Sequence, residues 1–197
     1  MNYCVLDLET EKELREVGGK EYLHLLGVSV AGVYDSARDA FAAYEKEEFG
    51  KLEALLRSSE LVVGFNIDHF DLPVLAPHVS LDLGRLFVLD LMADVERGLG
   101  FRMSLDNLSR ATLGAQKSGH GLEAIAWWRA GEKQKVKDYC VQDVRLTRDL
   151  YEFGKAKGYV LADTRDRGRV RVKVGWGDIT IPTISAKEEL YVQPSLI

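Results

Sequence analysis

The chain has 197 residues, of which 46% are hydrophobic and 29% charged, with a formal net charge of −5. These are ordinary values for a globular domain with a core of its own. No apolar run reaches the ~18 residues of a transmembrane helix, and the N-terminus lacks a basic region followed by an apolar segment, so no membrane contact and a cytoplasmic location are expected. The negative charge is a poor match for a high-affinity, non-specific nucleic-acid binder, unless bound cations offset it.

Tyr3 to Leu8 alternates Cys4, Leu6 and Leu8 against Tyr3, Val5 and Asp7, which predicts a strand. Residues 11–21 are polar and contain Gly18-Gly19, a loop signature. Leu23 to Ala31 is almost continuously apolar and predicts a second strand covered on both faces. Ala40 to Tyr44 follows a turn and predicts a third. Phe49, Leu52, Leu55 and Leu56 share helical spacing, which predicts an amphipathic helix over 47–58. A short buried strand is expected over Leu61 to Phe65, a helix from Phe70 with Pro73 in its first turn, and a strand over Leu86 to Asp90. Ser104 is a good N-cap and Gly114 a plausible stop for the next helix. Helices over Gly121 to Arg129 and Lys133 to Phe153 complete an α/β fold, a mixed sheet flanked by helices. Residues 159–197 are rich in Gly, Pro and β-branched residues and predict a small β-rich C-terminal appendage to a domain over residues 1–158. Cys4 and Cys140 fall inside regular elements without metal-like spacing and read as reduced core residues.

Four carboxylates and a tyrosine stand apart from this pattern. Asp7 and Glu9 lie two apart on the first strand, so both project from one face, roughly 6.5 Å apart along it. Taken alone, they fit a solvated strand end as well as a metal site. Asp71 follows a strand and opens a helix, where a carboxylate also complements the helix dipole. Tyr139 and Asp143 are four apart on a helix and share a face; alone, they fit a half-buried core tyrosine and a surface aspartate. Asp90 and Asp94 fit no such set and are assigned to capping and surface.

Together the three segments resemble those of the DEDD superfamily of 3′-to-5′ exonucleases, which have a ribonuclease H-like fold. Asp7-Leu8-Glu9 matches the Asp-x-Glu motif, Asn66 through Asp71 matches Asn-x-x-x-Phe/Tyr-Asp, and Tyr139 through Asp143 matches Tyr-x-x-x-Asp. A sister subgroup has His five residues before the last Asp; this chain has Asp138 there, which fits the tyrosine subgroup. The resemblance covers roughly residues 1–155. It implies that Asp7, Glu9, Asp71 and Asp143 hold two Mg²⁺ or Mn²⁺ ions, and that Tyr139 orients the attacking water. The implied substrate is the 3′ end of single-stranded DNA or RNA, and the implied products are nucleoside 5′-monophosphates. The competing class is a non-catalytic nucleic-acid-binding or scaffolding module on the same fold.

Other residues are candidates for nucleic-acid contact. Leu8 and Thr10 flank the first motif, Asn66 and Phe70 belong to the second, and Lys117 sits near His120 on a glycine-containing segment. Arg165, Arg167, Arg169, Arg171 and Lys173 occupy alternate positions against Val170, Val172 and Val174, so a strand here has one basic and one apolar face. Arg169, Arg171 and Lys173 fit a phosphate-tracking ribbon and, about equally, an edge strand protected by charge. Trp176, between two glycines, is either a base-stacking platform or a packed hairpin residue.

Overall fold

A computed structural model describes residues 1–115 and 121–180. In chain order the elements are β1 (Tyr3–Thr10), α1 (Leu14–Val17), β2 (Val28–Asp35), β3 (Ala40–Tyr44), α2 (Phe49–Ser58), β4 (Leu61–Gly64), α3 (Asp71–Leu75), β5 (Val88–Asp90), α4 (Leu91–Leu99), α5 (Leu105–Leu113), α6 (Gly121–Arg129), α7 (Lys133–Lys157), β6 (Tyr159–Thr164) and β7 (Gly168–Lys173). Five strands form one sheet in the order β3-β2-β1-β4-β5, and β6 and β7 pair as a hairpin. β1 runs antiparallel to β2 and parallel to β4. The expected mixed α/β sheet flanked by helices, with a small C-terminal β-hairpin, is present.

Alternation along β1 divides its side chains between two cores. Cys4, Leu6 and Leu8 pack with Leu52, Leu56 and Leu75 from α2 and α3. Tyr3 and Val5 pack on the opposite face with Val144, Leu150 and Tyr151 of α7. Asp7 and Glu9 continue this second face toward the end of the strand, so the carboxylates emerge beside a core rather than from an open surface. The close approach of α7 depends on Gly32 of β2, which is paired with Asp7. A Cβ there would lie 2.7 Å from Cys140 Sγ and 3.0 Å from Val144 Cγ2.

The second strand is displaced from its expected span. Lys20–Leu25 is a 3₁₀ segment, and β2 begins only at Val28. Gly27, at φ 70°, makes the turn between them; an apolar run marks burial but not the point where extension starts. Leu14–Val17, expected as loop, forms a single helical turn with a reciprocal Glu13–Glu16 capping box. Ser104 caps α5 through its Oγ, which accepts from Asn107 N–H at 3.2 Å, and Gly114 ends that helix at φ 71°. α7 runs four residues past its expected end, to Gly158 at φ 72°.

The hairpin is not a loose attachment. Val160, Ala162, Val172, Val174 and Trp176 belong to the same buried cluster as Tyr3 and Val5. Trp176 is 1% exposed, so it is a packed residue and not a base-stacking platform. Its Nε1–H donates to Asp94 Oδ2 at 2.7 Å, and its ring stacks on Tyr151. A Cβ on Gly154 of α7 would lie 2.2 Å from Trp176 Cε3 and 2.4 Å from its Cζ3, a clash with the ring. Gly154→Ala is therefore expected to lose about 1–3 kcal/mol through overpacking, despite alanine's better helix propensity. A fall in the urea midpoint with an unchanged m-value would show it.

Candidate active site

Asp7, Glu9, Asp71, Tyr139 and Asp143 line one cavity of about 510 Å³. The strand order accounts for this convergence. β1 pairs with β4 only from Tyr3 to Val5, and β4 ends at Gly64. Past that point one edge of β1 lacks a strand neighbour, and Asp71 takes the place of one: its Oδ1 accepts the buried Leu8 N–H at 2.9 Å. This bond fixes the Asp71 carboxylate beside Asp7 and Glu9. From the opposite side α7 crosses β1 and presents Tyr139 and Asp143, 4% and 3% exposed.

The turn that delivers Asp71 is held by a residue that the motif pattern does not contain. Asn66 sits in the left-handed region at φ 64°, a conformation asparagine tolerates better than most residues. Asp90 Oδ1 accepts from Asn66 N–H at 2.9 Å, and Asp90 Oδ2 from Asp68 N–H at 3.3 Å. The same Oδ1 caps α4 through Met92 and Ala93 N–H, at 3.0 and 3.2 Å. Capping was expected of Asp90, but not its burial: it is 5% exposed, because one carboxylate satisfies backbone donors from two segments. Asp94 pairs with Arg97 and accepts from Trp176, so it is a surface ion pair and a core anchor together.

The remaining candidates divide. Leu8, Thr10, Asn66 and Phe70 line the cavity. The Leu8 N–H is already engaged by Asp71, and Thr10 Oγ1 donates to the Lys12 carbonyl at 2.9 Å. Lys117 and His120 lie outside the described residues. Arg169, Arg171 and Lys173 are exposed on β7 and are not among the cavity-lining residues. Arg169 makes a two-pronged ion pair with Asp163, at 2.8 and 2.9 Å, and Arg171 lies over the Tyr159 ring. Sequence reasoning missed the cations Lys12 and Arg15 and the apolar walls Phe65, Leu122 and Ile125. Leu122 and Ile125 stand three apart on α6, a spacing that signals a shared face but not what it meets.

The local electrostatics favour a protonated tyrosine. Burial, followed by the negative charge of Asp143, Glu9 and Asp7, holds the Tyr139 phenol well above its ordinary range, and Tyr139 hydrogen-bonds with Asp143. Burial and the charges of Asp7 and Glu9 act likewise on the Cys140 thiol. The donor set also suits hard divalent cations. Carboxylate oxygens from three segments converge on one concavity, and ligand atoms of Asp7, Glu9 and Cys140 lie within 4.8 Å of one another.

The RNase H superfamily profile matches residues 4–153, and the chain belongs to that superfamily. No curated protein matches it in sequence. Among solved structures it is similar to the family B DNA polymerase of the hyperthermophilic archaeon Pyrobaculum calidifontis, with a TM-score of 0.58 and 16% identity over 78% of this chain and 24% of the polymerase. It is also similar to RNase D of Trypanosoma brucei, with a TM-score of 0.53 and 16% identity over 77% of this chain and 56% of that enzyme. The complex of that RNase D with RNA U12 gives a TM-score of 0.52 at the same identity, over 77% of this chain and 54% of that one. The chain thus spans about a quarter of the polymerase and just over half of RNase D. At this identity the likeness is one of fold.

Asp90→Ala removes a helix cap and the acceptor of the part-buried Asn66 and Asp68 N–H groups. It is expected to cost about 2–4 kcal/mol. Amide exchange is expected to quicken at Asn66 and Asp68 as well as at Met92 and Ala93, which a simple helix-cap loss would not produce.

Proposed function

We propose that this protein is a metal-dependent 3′-to-5′ exonuclease of the tyrosine DEDD subgroup, acting on single-stranded DNA or RNA ends and releasing nucleoside 5′-monophosphates. The observation that carries the reading is the gathering of Asp7, Glu9, Asp71, Asp143 and Tyr139, from three distant segments, around one cavity. Superfamily membership and the likeness to RNase D, one structure of which holds RNA, support it. A domain over residues 1–158, with residues 159–197 as its appendage, and a cytoplasmic location belong to the same proposal.

Asp7, Glu9, Asp71 and Asp143 would hold two Mg²⁺ or Mn²⁺ ions, whose chemistry is to activate water and stabilise charge on the leaving 3′-oxygen. The chain's own residues supply position. The Leu8 N–H fixes Asp71, and the packing of α7 fixes Asp143. Tyr139 keeps its proton, so it orients the attacking water through a hydrogen bond and does not serve as the base. Phe65, Phe70 and Leu122 give the terminal nucleoside an apolar enclosure, while Lys12 places positive charge on the rim for phosphate, with Arg15 joining it when it leaves Glu13. Arg171 and Lys173 on the hairpin give a second, salt-dependent contact for the strand beyond the cavity, with Arg169 joining them when it leaves Asp163.

The test is a time course on matched 5′-labelled single-stranded DNA and RNA with Mg²⁺, Mn²⁺ or chelator. A metal-dependent ladder that shortens from the 3′ end is expected, with Asp7→Asn slower by about a thousandfold or more. The faster substrate assigns the sugar preference. Label that stays intact under every metal condition would overturn the reading in favour of the non-catalytic module, and internal cuts would replace it with an endonuclease.

Tyr139→Phe is expected to lower kcat by roughly a hundredfold, the scale of one lost positioning contact. With burial holding the phenol above its ordinary range, the shape of the pH–rate profile is expected to stay the same. Loss of an alkaline limb in the variant would identify Tyr139 as a titrating base.

A further inference from the structure

One wall of the cavity has little core of its own. Lys12, Glu13, Leu14 and Arg15 line it on the side of α1. No residue of α1, or of Lys20–Leu25 beyond it, is buried, and Leu14, Val17 and Leu23 are only partly covered. A segment with so few buried contacts opens easily and depends on outside ties for its position. The opposite wall is firm. α6 contributes Leu122 and Ile125. Its end is fixed by two bonds around Gly131, which sits at φ 77°: Gly131 N–H donates to the Trp128 carbonyl at 3.0 Å, and Glu132 N–H to the Trp127 carbonyl at 2.8 Å. The Trp127 ring meets Tyr139 edge-on at 5.9 Å, which holds α6 against α7.

Arg129 joins the two walls. It stands four residues past Ile125, on the same face of α6. Its Nη2 donates to Glu16 Oε2 and Oε1, at 2.6 and 2.8 Å, and to the Glu11 carbonyl at 3.3 Å. Glu11 and Glu16 flank the lining stretch Lys12 to Arg15, so the arginine grips that stretch immediately before and immediately after it. The walls therefore meet beyond Ile125, and the cavity is shut on that side. Neither Arg129 nor Glu16 lines the cavity itself.

We propose that Arg129 sets the substrate class of this site: by clasping Glu11 and Glu16 it closes the passage between α1 and α6, so that the free terminus of a single strand enters the cavity and a strand without an end cannot thread through it. Arg129 is a positioning residue, acting through the α1 wall and not through contact with the substrate. End-selective binding stands on the clasp geometry. Its consequence for cleavage rests on the exonuclease reading. Both partners of the clasp are exposed, with side chains 48% and 36% accessible, and an exposed pair favours its closed form by only about two- to fivefold. The clasp therefore biases the wall toward closure without locking it.

The experiment compares the full chain's affinity for a labelled linear single-stranded DNA and for the same sequence closed into a circle. Fluorescence anisotropy is read with Ca²⁺, a hard cation that takes oxygen ligands. The wild-type protein is expected to bind the linear form more tightly. Arg129→Gln and Glu16→Gln, each at an exposed position, should both shrink that preference by about two- to fivefold. Glu16→Gln keeps an acceptor for the Glu13 N–H, so the capping box of α1 survives it. With Mg²⁺, both variants are expected to cut the circle faster than the wild-type protein does. Equal wild-type affinity for the two forms, or a preference that neither variant changes, overturns the proposal. A change in Arg129→Gln alone also overturns it, because the arginine would then be acting on phosphate directly. If the wild-type protein hydrolyses neither form while both variants weaken its preference for ends, the exonuclease reading fails and the clasp stands.

Discussion

The contact between α7 and the centre of the sheet is the constraint on which the rest of the structure depends. It is set by Gly32, where the absence of a side chain lets Cys140 and Val144 sit against β2. That closeness puts Asp143 and Tyr139 over the end of β1, beside Asp7 and Glu9. A methyl group at Gly32 would push the helix outward and carry Asp143 and Tyr139 away from Asp7, Glu9 and Asp71. The acidic cluster is therefore a consequence of backbone packing as much as of acidic residue placement.

A second constraint acts from the other side of β1. A strand that outruns its neighbour leaves backbone donors to be satisfied. Here Asp71 satisfies one of them at Leu8, and Asp90 satisfies those of the turn leading to it. The site is therefore assembled by the ordinary requirement that N–H groups withdrawn from water find acceptors, fully at Leu8 and partly in the Asn66 turn. The same bonds that settle the backbone decide where the Asp71 carboxylate points.

Much of this was legible in the sequence, for a physical reason. Asp7 and Glu9, Asn66 to Asp71, and Tyr139 to Asp143 are each short-range spacings, and period two or period 3.6 fixes their faces without knowledge of the fold. Ser104 and Gly114 marked helix ends because caps are local. What was illegible is what requires two distant segments at once. Cys140 read as core filler, and only the pairing of Gly32 with Asp7 reveals the sulfur beneath a carboxylate. Asp90 read as a simple cap because its second set of donors lies more than twenty residues upstream. The shifted start of β2 has another cause: Leu23 to Ala31 is apolar throughout, and hydrophobicity alone does not distinguish a 3₁₀ turn from a strand.

The ring of Trp176 closes a line of aromatic contacts that begins at Tyr34 and passes through Tyr3 and Tyr151. The first strand and the last described segment are thus parts of one core. In a chain synthesised from its N-terminus, Tyr3 meets Tyr34 early, whereas Tyr151 and Trp176, which complete its core, emerge only near the end of the described residues. Contacts of such long sequence separation form slowly, because their loop-closure cost comes before their reward. The nascent protein therefore holds a partly exposed apolar face on β1 until α7 and then the hairpin arrive, a period in which a chaperone or the ribosome surface is its natural cover.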